Sequence, residues 1–400
     1  MKTAGQPLSL RQLERYTEMN QTLQPMADRS RLAIIADHPE ALECNSAHII
    51  QAALTRGNSV LAIAPGLPIG IAGSGPLRGA SMSNLNTSGE KSATKKLISQ
   101  PRNSSLEQTF ADWHPDTILA CSLDTLPMAF HAANRIRVSR VSCALFSNPA
   151  EPGTDTERRA GTWAQRRRIN SCLRRCQSVI IADRSQVDEL ASIGITLPPD
   201  RIHVIPAPGA DIIALAASEL PGIANGLRFL AIAEVVDTTH RATLHRAAEI
   251  LRERGHAVSL VLATPPDVTS YDNSPPTDNP SALIEVSHSA HDMTDEICIA
   301  HVFIELGAPN IYPASALSAL AIGRPILARN FPALKNLLDE RVNGILLPGS
   351  TPEQIVTGVE SLLRRPDLLP SMGRASRSKA ERYFNAEQIS ADILKLLQLR

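Results

Sequence analysis

The chain is punctuated by short runs in which apolar residues follow one another without polar alternation: RLAIIA (31–36), SVLAIA (59–64), TILACS (117–122), RVSCALFS (140–147), SVIIAD (178–183) and IHVIPA (202–207). A strand with one wet face alternates apolar and polar side chains. A continuous run needs both faces covered, which is the condition inside a parallel sheet flanked by crossover helices. Between the first two runs, residues 45–58 supply such a helix: Ile49, Ile50, Ala53 and Leu54 share one face, Asn45 stands where a cap belongs, and Gly57 ends it. The result is a βαβ unit, and its repetition predicts a parallel sheet over residues 31–205.

After a stretch rich in Gly, Pro and Ala (206–226), the alternation restarts with LRFLAIAE, VSLVLAT, ALIEVS, HVFIEL, PILARN and GILLPG. Leu244, Ala247, Ala248 and Leu251 follow helical spacing, as do Ile355, Val356, Val359, Leu362 and Leu363, and AEQISADILKLLQ closes the chain as an amphipathic helix. A length of 400 residues exceeds what one core serves. The expected division is therefore an N-terminal extension (1–30), a first α/β domain (31–205), a linker (206–226), a second α/β domain (227–384) and a C-terminal helix (385–400). Residues 66–105, dominated by Gly, Ser, Asn, Thr and Lys, and residues 264–281, dominated by Pro, Asp and Ser, read as flexible surface loops. GSGPLRG (73–79) lacks the spacing of a dinucleotide fingerprint, and Pro76 interrupts any helix start, which counts against a nicotinamide-dependent oxidoreductase.

Forty basic residues balance forty acidic ones, so no net field draws the chain to nucleic acid. Aromatics make up 3% of the residues, and the cores must be built from Leu, Ile, Val and Ala. No secretory h-region opens the sequence and no run approaches the roughly 20 apolar residues of a membrane span, so a cytoplasmic location is expected. Cys44, Cys121, Cys143, Cys172, Cys176 and Cys298 lie scattered, which suits reduced core thiols, and no neighbouring His or Cys pair completes a zinc set with Cys172 and Cys176.

Two segments carry a family resemblance. Residues 178–211 (SVIIADRSQVDELASIGITLPPDRIHVIPAPGAD) and 316–367 (ALSALAIGRPILARN through LLRRPD) resemble the retaining nucleotide-sugar glycosyltransferases of family 4. The likeness covers residues 178–395, with the preceding 177 residues similar only in outline. It implies a GT-B fold: α/β, two Rossmann-like domains with parallel sheets facing across a cleft. It also implies an enzyme that transfers a hexose, with retention, from a UDP- or GDP-linked sugar held by the second domain to a glycan or lipid-linked acceptor held by the first. No cofactor and no metal are implied.

The donor motifs depart from the family pattern. Its Glu, seven residues, Glu motif falls here on Asn310 and Ser318, so both carboxylates are absent. Its diphosphate-binding Arg falls on Glu234, and its Lys near Thr239, His240 or Arg241. The resemblance then sets the donor site at Asn310, Tyr312, Pro313, Ala314, Ser315 and Ser318, with His240 or Arg241 as the cation. Small residues at this helix start let free backbone N–H groups approach a diphosphate. The other reading is a GT-B scaffold that has lost its chemistry and keeps Ser315 and Ser318 only as helix-capping polar groups.

On the acceptor side, the family's catalytic-site His falls near Ser147 or Asn148, while Asp37 and His38 follow the first strand, at the edge where open α/β sheets bind ligands. Residues 157–176 carry seven arginines against one acid. A helix spanning Arg158 to Arg175, with Arg159 and Arg166 on one face and Arg168 and Arg175 on one face, offers a peripheral contact to an anionic membrane or acceptor, or simply a solvated basic surface. His288, His291, Asp292 and Asp295 are metal-ligand types, but Asp292 with Asp295 also reads as a helix start.

Overall fold

The structure, a computed structural model, describes residues 30–37, 42, 46–65, 67, 70–71, 80–84, 104–146, 162–206, 209–232, 238–264, 283–287, 292–307, 314–331, 334 and 336–399. In the first half, β1 (Arg31–Ile35), α1 (Ala47–Thr55) and β2 (Ser59–Ala64) form the expected βαβ unit. There follow β3 (Gly70–Ile71), β4 (Ser81–Asn84), α2 (Ser104–Trp113), β5 (Thr117–Ala120), α3 (Leu126–Ile136), β6 (Arg140–Leu145), α4 (Trp163–Leu173), β7 (Val179–Ile181), α5 (Ser185–Ser192) and β8 (Ile202–Val204). They build an eight-stranded sheet in the order β3-β4-β2-β1-β5-β6-β7-β8. Its pairings are parallel apart from β3 with β4.

That edge pair corrects the loop reading of residues 66–105. Strand β4 lies beside β2, with Leu61 opposite Ser81, although Ser81–Asn84 has no apolar run of its own. The neighbouring strand's unpaired backbone groups, not local propensity, draw it into the sheet. Residues 265–282, most of the second predicted loop, lie outside the described residues.

The second half comprises β9 (Leu227–Ile232), α6 (Thr238–Glu253), β10 (Val258–Thr264), β11 (Leu283–Ser287), α7 (Asp292–Ile299), β12 (Val302–Glu305), α8 (Ala314–Ile322), β13 (Ile326–Arg329), β14 (Gly344–Leu347), α9 (Pro352–Leu363), α10 (Leu369–Tyr383) and α11 (Ala386–Leu396). Here the sheet has six strands, all parallel, in the order β11-β10-β9-β12-β13-β14.

Period-two alternation sends each strand's side chains to two separate cores. Ala33 and Ile35 join Phe110, Phe130 and Leu173 on one face of the first sheet, while Leu32 and Ile34 join Ile49, Ile50 and Ala53 on the other. In the second sheet, Leu230 and Ile232 pack with α8, and Phe229 and Ala231 with α6 and α9. The last helix does not stay with the second sheet. Asn385 caps α11, its Oδ1 accepting from the backbone N–H of Glu387 and Gln388, and the helix buries Ile389, Ile393 and Leu394 against α1 on the first sheet. The chain thus crosses between the sheets twice, and the crossings touch: Ala210 N–H donates to Phe384 O (2.6 Å), and Ala386 N–H to Ala210 O (2.9 Å).

The stretch read as a linker is bound along the second sheet's helices. Arg324, with no solvent exposure, donates to the carbonyls of Ile297 (3.0 Å) and Cys298 (2.6 Å) in the last turn of α7, and to those of Ser218 (2.9 Å) and Glu219 (3.1 Å). Burial pushes its guanidinium pKa down, and four carbonyl dipoles offset the lost hydration. Arg377 on α10 adds the carbonyls of Leu215 (2.6 Å) and Ile212 (3.2 Å). Buried His301 accepts the backbone N–H of Arg228 at Nδ1 (2.9 Å), so its proton sits on Nε2.

Two outcomes follow from these anchors. Arg324→Ala leaves the linker and α7 carbonyls without their shared donor and is expected to cost about 2–4 kcal/mol in urea unfolding, with Arg324→Lys intermediate because one ammonium cannot span them. For His301, desolvation by burial holds the pKa below its ordinary 6.5. As pH falls through that ordinary value the unfolded chain takes up the proton first, so stability present above it declines below it. His48, also lowered by burial, adds to the same window. His301→Asn keeps an acceptor for Arg228 but cannot titrate; its unfolding free energy should fall less than that of the wild type between about pH 7.5 and about pH 5.

Candidate functional site

In an open parallel sheet the loops leaving two neighbouring strands diverge where the strand order reverses, and the crevice between them is where ligands bind. In the second sheet that point lies between β9 and β12, because β9, β10 and β11 run one way and β12, β13 and β14 the other. In the first sheet it lies between β1 and β5. The two carboxyl edges meet: Asn336, after β13, donates from Nδ2 to Oδ2 of Asp183, two residues past β7. Burial raises the Asp183 pKa, but hydrogen bonds from Ser185 and Asn336 outweigh it, and the carboxyl sits below its usual range. Ala182 packs beside them in the same apolar cluster as Leu334 and Leu337.

The helices that leave the second sheet's reversal point carry the predicted donor residues. After β12, α8 begins at Ala314, with Ala314 exposed, Ser315 buried and Ser318 half-buried. Its first turns hold only Ala, Ser and Leu, so little side-chain bulk covers the N–H groups of Ala314, Ser315 and Ala316. After β9, α6 opens with Thr238, Thr239, His240 and Arg241, the last two half-buried. The structure therefore brings Ser315, Ser318, His240 and Arg241 to the ends of adjacent strands. Asn310, Tyr312, Pro313 and Glu234 lie outside the described residues.

On the first sheet, Asp37 follows β1 at the reversal point, half-buried. Beside it, Cys121 after β5 has its thiol pKa pushed up to about 12 by burial, with the Asp37 charge acting in the same direction and a hydrogen bond between Cys121 and Ser46 (3.5 Å) against it. A thiol so placed stays protonated and is no nucleophile. His38, Ser147, Asn148, His288 and His291 lie outside the described residues.

The basic helix differs from its expected form. Helix α4 runs from Trp163 to Leu173, started by a reciprocal cap between Thr162 and Gln165, and Arg158 and Arg159 lie outside the described residues. Arg175 is past the helix end, where it stacks over Phe130 (4.8 Å to the ring centroid) and donates to Asn134 Oδ1 (3.0 Å). It thus shares no helical face with Arg168. Arg166 turns to the carbonyl of Ile193 (3.3 Å), whereas Trp163 is 67% exposed with Arg167 over its ring (5.3 Å).

Two charged residues at the second sheet's carboxyl edge stand outside the motifs of the sequence. Glu305 ends β12; it is buried, and Oε1 accepts the N–H of Gly307 (3.1 Å). Arg329 ends β13, half-buried, its guanidinium 4.4 Å from the Phe331 ring centroid. The available signal was a charge closing an otherwise apolar run, in HVFIEL and PILARN. A cavity of about 570 Å³ is lined by Leu220, Ile322, Gly323, Gly373 and Arg374, but Ile322 and Gly323 precede β13, so it lies at the opposite edge.

No known family profile matches the chain. Over 72 residues, 18% of this chain, it is 35% identical to an uncharacterized glycosyltransferase of Haemophilus influenzae, and the match spans 20% of that relative's length. Solved structures superpose far more extensively. A glycosyltransferase from Rickettsia africae aligns over 93% of this chain and 98% of its own, with a TM-score of 0.68 at 10% identity. The sucrose-phosphate synthase of Thermosynechococcus elongatus aligns over 92% and 98%, with 0.67 at 14% identity. The Anabaena protein HepE in complex with UDP aligns over 92% and 99%, with 0.65 at 13% identity. At such identities the likeness is one of fold.

Proposed function

We propose that this chain, whose paired sheets have the GT-B fold, is a glycosyltransferase that moves a hexose from a nucleoside diphosphate sugar to a glycan or lipid-linked acceptor, with retention at the anomeric carbon. The observation that carries the reading is the arrangement of edges: two strand-order reversals, one per sheet, on carboxyl edges joined through Asp183 and Asn336. One crevice suits the donor and the other the acceptor, and the sugar passes between them.

In this reading the donor lies at the ends of β9 and β12, with its diphosphate at the N–H groups of Ala314 to Ala316 and a cation from His240 or Arg241. Backbone donors aimed at the leaving diphosphate stabilise the charge that develops as the glycosidic bond breaks. Ser318 meets the ribose, and Glu305 supplies a carboxylate acceptor for donor hydroxyls at an edge where the resembled family has its Glu pair. The acceptor is received near Asp37, and the first domain (31–205) and second domain (227–384) close on it about the linker. HepE was solved with UDP and with UDP-glucose, which makes UDP the first nucleotide to try, with GDP beside it. Trp163 and Arg167 on α4 would let the first domain rest on an anionic membrane carrying a lipid-linked acceptor, on the cytoplasmic side. No helix among the described residues is long and apolar enough to cross a bilayer.

Asn310 and Ser318, in place of two carboxylates, favour a second reading: a GT-B protein that binds nucleotide sugars without turning them over. Thermal-shift titration with UDP, GDP and their glucose conjugates, followed by a donor-hydrolysis assay, separates the two. The enzyme reading expects stabilisation and slow release of free sugar; stabilisation without release supports the binding protein, and stabilisation by NAD alone removes both. Ser318→Ala should weaken nucleotide binding about 5- to 10-fold if the hydroxyl meets the ribose, and an unchanged affinity rejects that contact.

A further inference from the structure

A nucleoside diphosphate brings clustered negative charge into a crevice from which water is largely excluded, and cations must offset it. Here Glu234 stands where the resembled family has an Arg. Of the cations placed by the fold, Arg324 is committed to four carbonyls at the opposite edge, and His240 or Arg241 answers to the family's Lys, which leaves the place of its Arg unfilled. Arg329 is different. It ends β13 on the carboxyl edge, next to β12 from which α8 departs, with Ala328 in register opposite Glu305. Among the described residues its guanidinium makes no hydrogen bond and no ion pair, and it lies over the ring of Phe331.

The backbone produces that contact. Phe331 N–H donates to Arg329 O (2.9 Å), closing a tight turn about Asn330, and Asn330 N–H donates to Leu347 O (2.9 Å), which ties the turn to the end of β14. The turn folds residues 329 and 331 onto one another, and the ring of Phe331 is in turn packed against the α8 face of the sheet. An aromatic ring under a guanidinium fixes its plane while leaving the N–H donors at the plane's edge unengaged, which is the disposition that receives two phosphate oxygens at once.

We propose that Arg329, held over the ring of Phe331, is a second cation that binds the donor's diphosphate beside His240 or Arg241, replacing the arginine that Glu234 displaces. This rests on the donor-site reading above and goes beyond it by assigning the charge to a residue outside the family's motif. Phe331 is a positioning residue: it touches Arg329 and not the nucleotide.

Calorimetric titration of the full chain with UDP and with uridine, repeated with GDP and guanosine, separates the phosphate contribution from that of the base. The wild type should bind one diphosphate far more tightly than its nucleoside. Arg329→Gln should lower that diphosphate affinity about 10- to 100-fold and leave the nucleoside affinity unchanged; Arg329→Lys should recover part of the loss, and Phe331→Leu should cost about 3- to 10-fold for the diphosphate alone. A melting temperature for each variant checks that it is folded. Arg329→Gln binding the diphosphate within twofold of the wild type overturns the assignment and leaves the donor site standing, as does an equal loss for nucleoside and diphosphate. A wild type that prefers neither diphosphate over its nucleoside overturns the donor-site reading and this inference with it.

Discussion

The architecture turns on one buried cation. Arg324 immediately follows Gly323, whose φ of +91° lets α8 end and the chain turn toward β13. From there its planar fork reaches the last carbonyls of α7 and two carbonyls of the connecting stretch, so a helix terminus and a peptide segment that would otherwise need water are satisfied by one side chain. The close approach of the two segments sharpens this: a Cβ on Gly373 would lie 2.4 Å from Gly323 O, so α10 can press against the turn only because residue 373 carries no side chain. With α7, α8, α10 and residues 211–222 locked together, the second sheet holds its carboxyl edge in a fixed relation to the segment that leads back to the first.

That rigidity decides where chemistry can be placed. At the amino edge of the second sheet, polar groups are consumed by structure: Arg324, Arg377, His301, and Arg228 paired with Glu296 at 2.6 Å. At the carboxyl edge, Glu305 and Arg329 end the apolar strands β12 and β13, on the side of the sheet where the order reverses. The contrast is thermodynamic. A buried charge is tolerated where backbone dipoles surround it, and a charge with spare hydrogen-bonding capacity persists at an edge that a ligand can occupy.

Much of this fold could be read in the residues, because parallel strands buried on both faces leave an unbroken apolar signature. RLAIIA, SVLAIA and VSLVLAT correspond to β1, β2 and β10 almost residue for residue. Strands β3 and β4 could not be read: Gly70–Ile71 and Ser81–Asn84 are paired only because β2 offers its edge, a tertiary effect that local pattern does not encode. The predicted donor residues Ser315, Ser318, His240 and Arg241 stand where their helices put them, since helix starts are set by the strands before them. Glu305 and Arg329 belong to no motif of fixed spacing; their position follows from which strands lie side by side, a property of the sheet order and not of local sequence. The extent of the basic helix was not legible for the reverse reason: a run of arginines carries no stop signal, and α4 ends at Leu173, with Arg175 beyond it on Asn134 and Arg166 on the Ile193 carbonyl.

The two crossings of the chain have a mechanical consequence. Residues 209–210 and 384–386 run side by side, bonded through Ala210, with Gly209 pressed so close to Ala386 that a Cβ there would lie 2.4 Å from its Cα. A single tether would allow the halves to swivel freely in any direction. Two tethers zipped together behave as the pin of a door, permitting rotation about their common line and resisting sliding or twisting across it. Because helix α11 is clamped onto the first sheet just beyond that pin, the last residues of the chain act as the hinge plate, and shortening the tail would unscrew the halves rather than merely trim a surface.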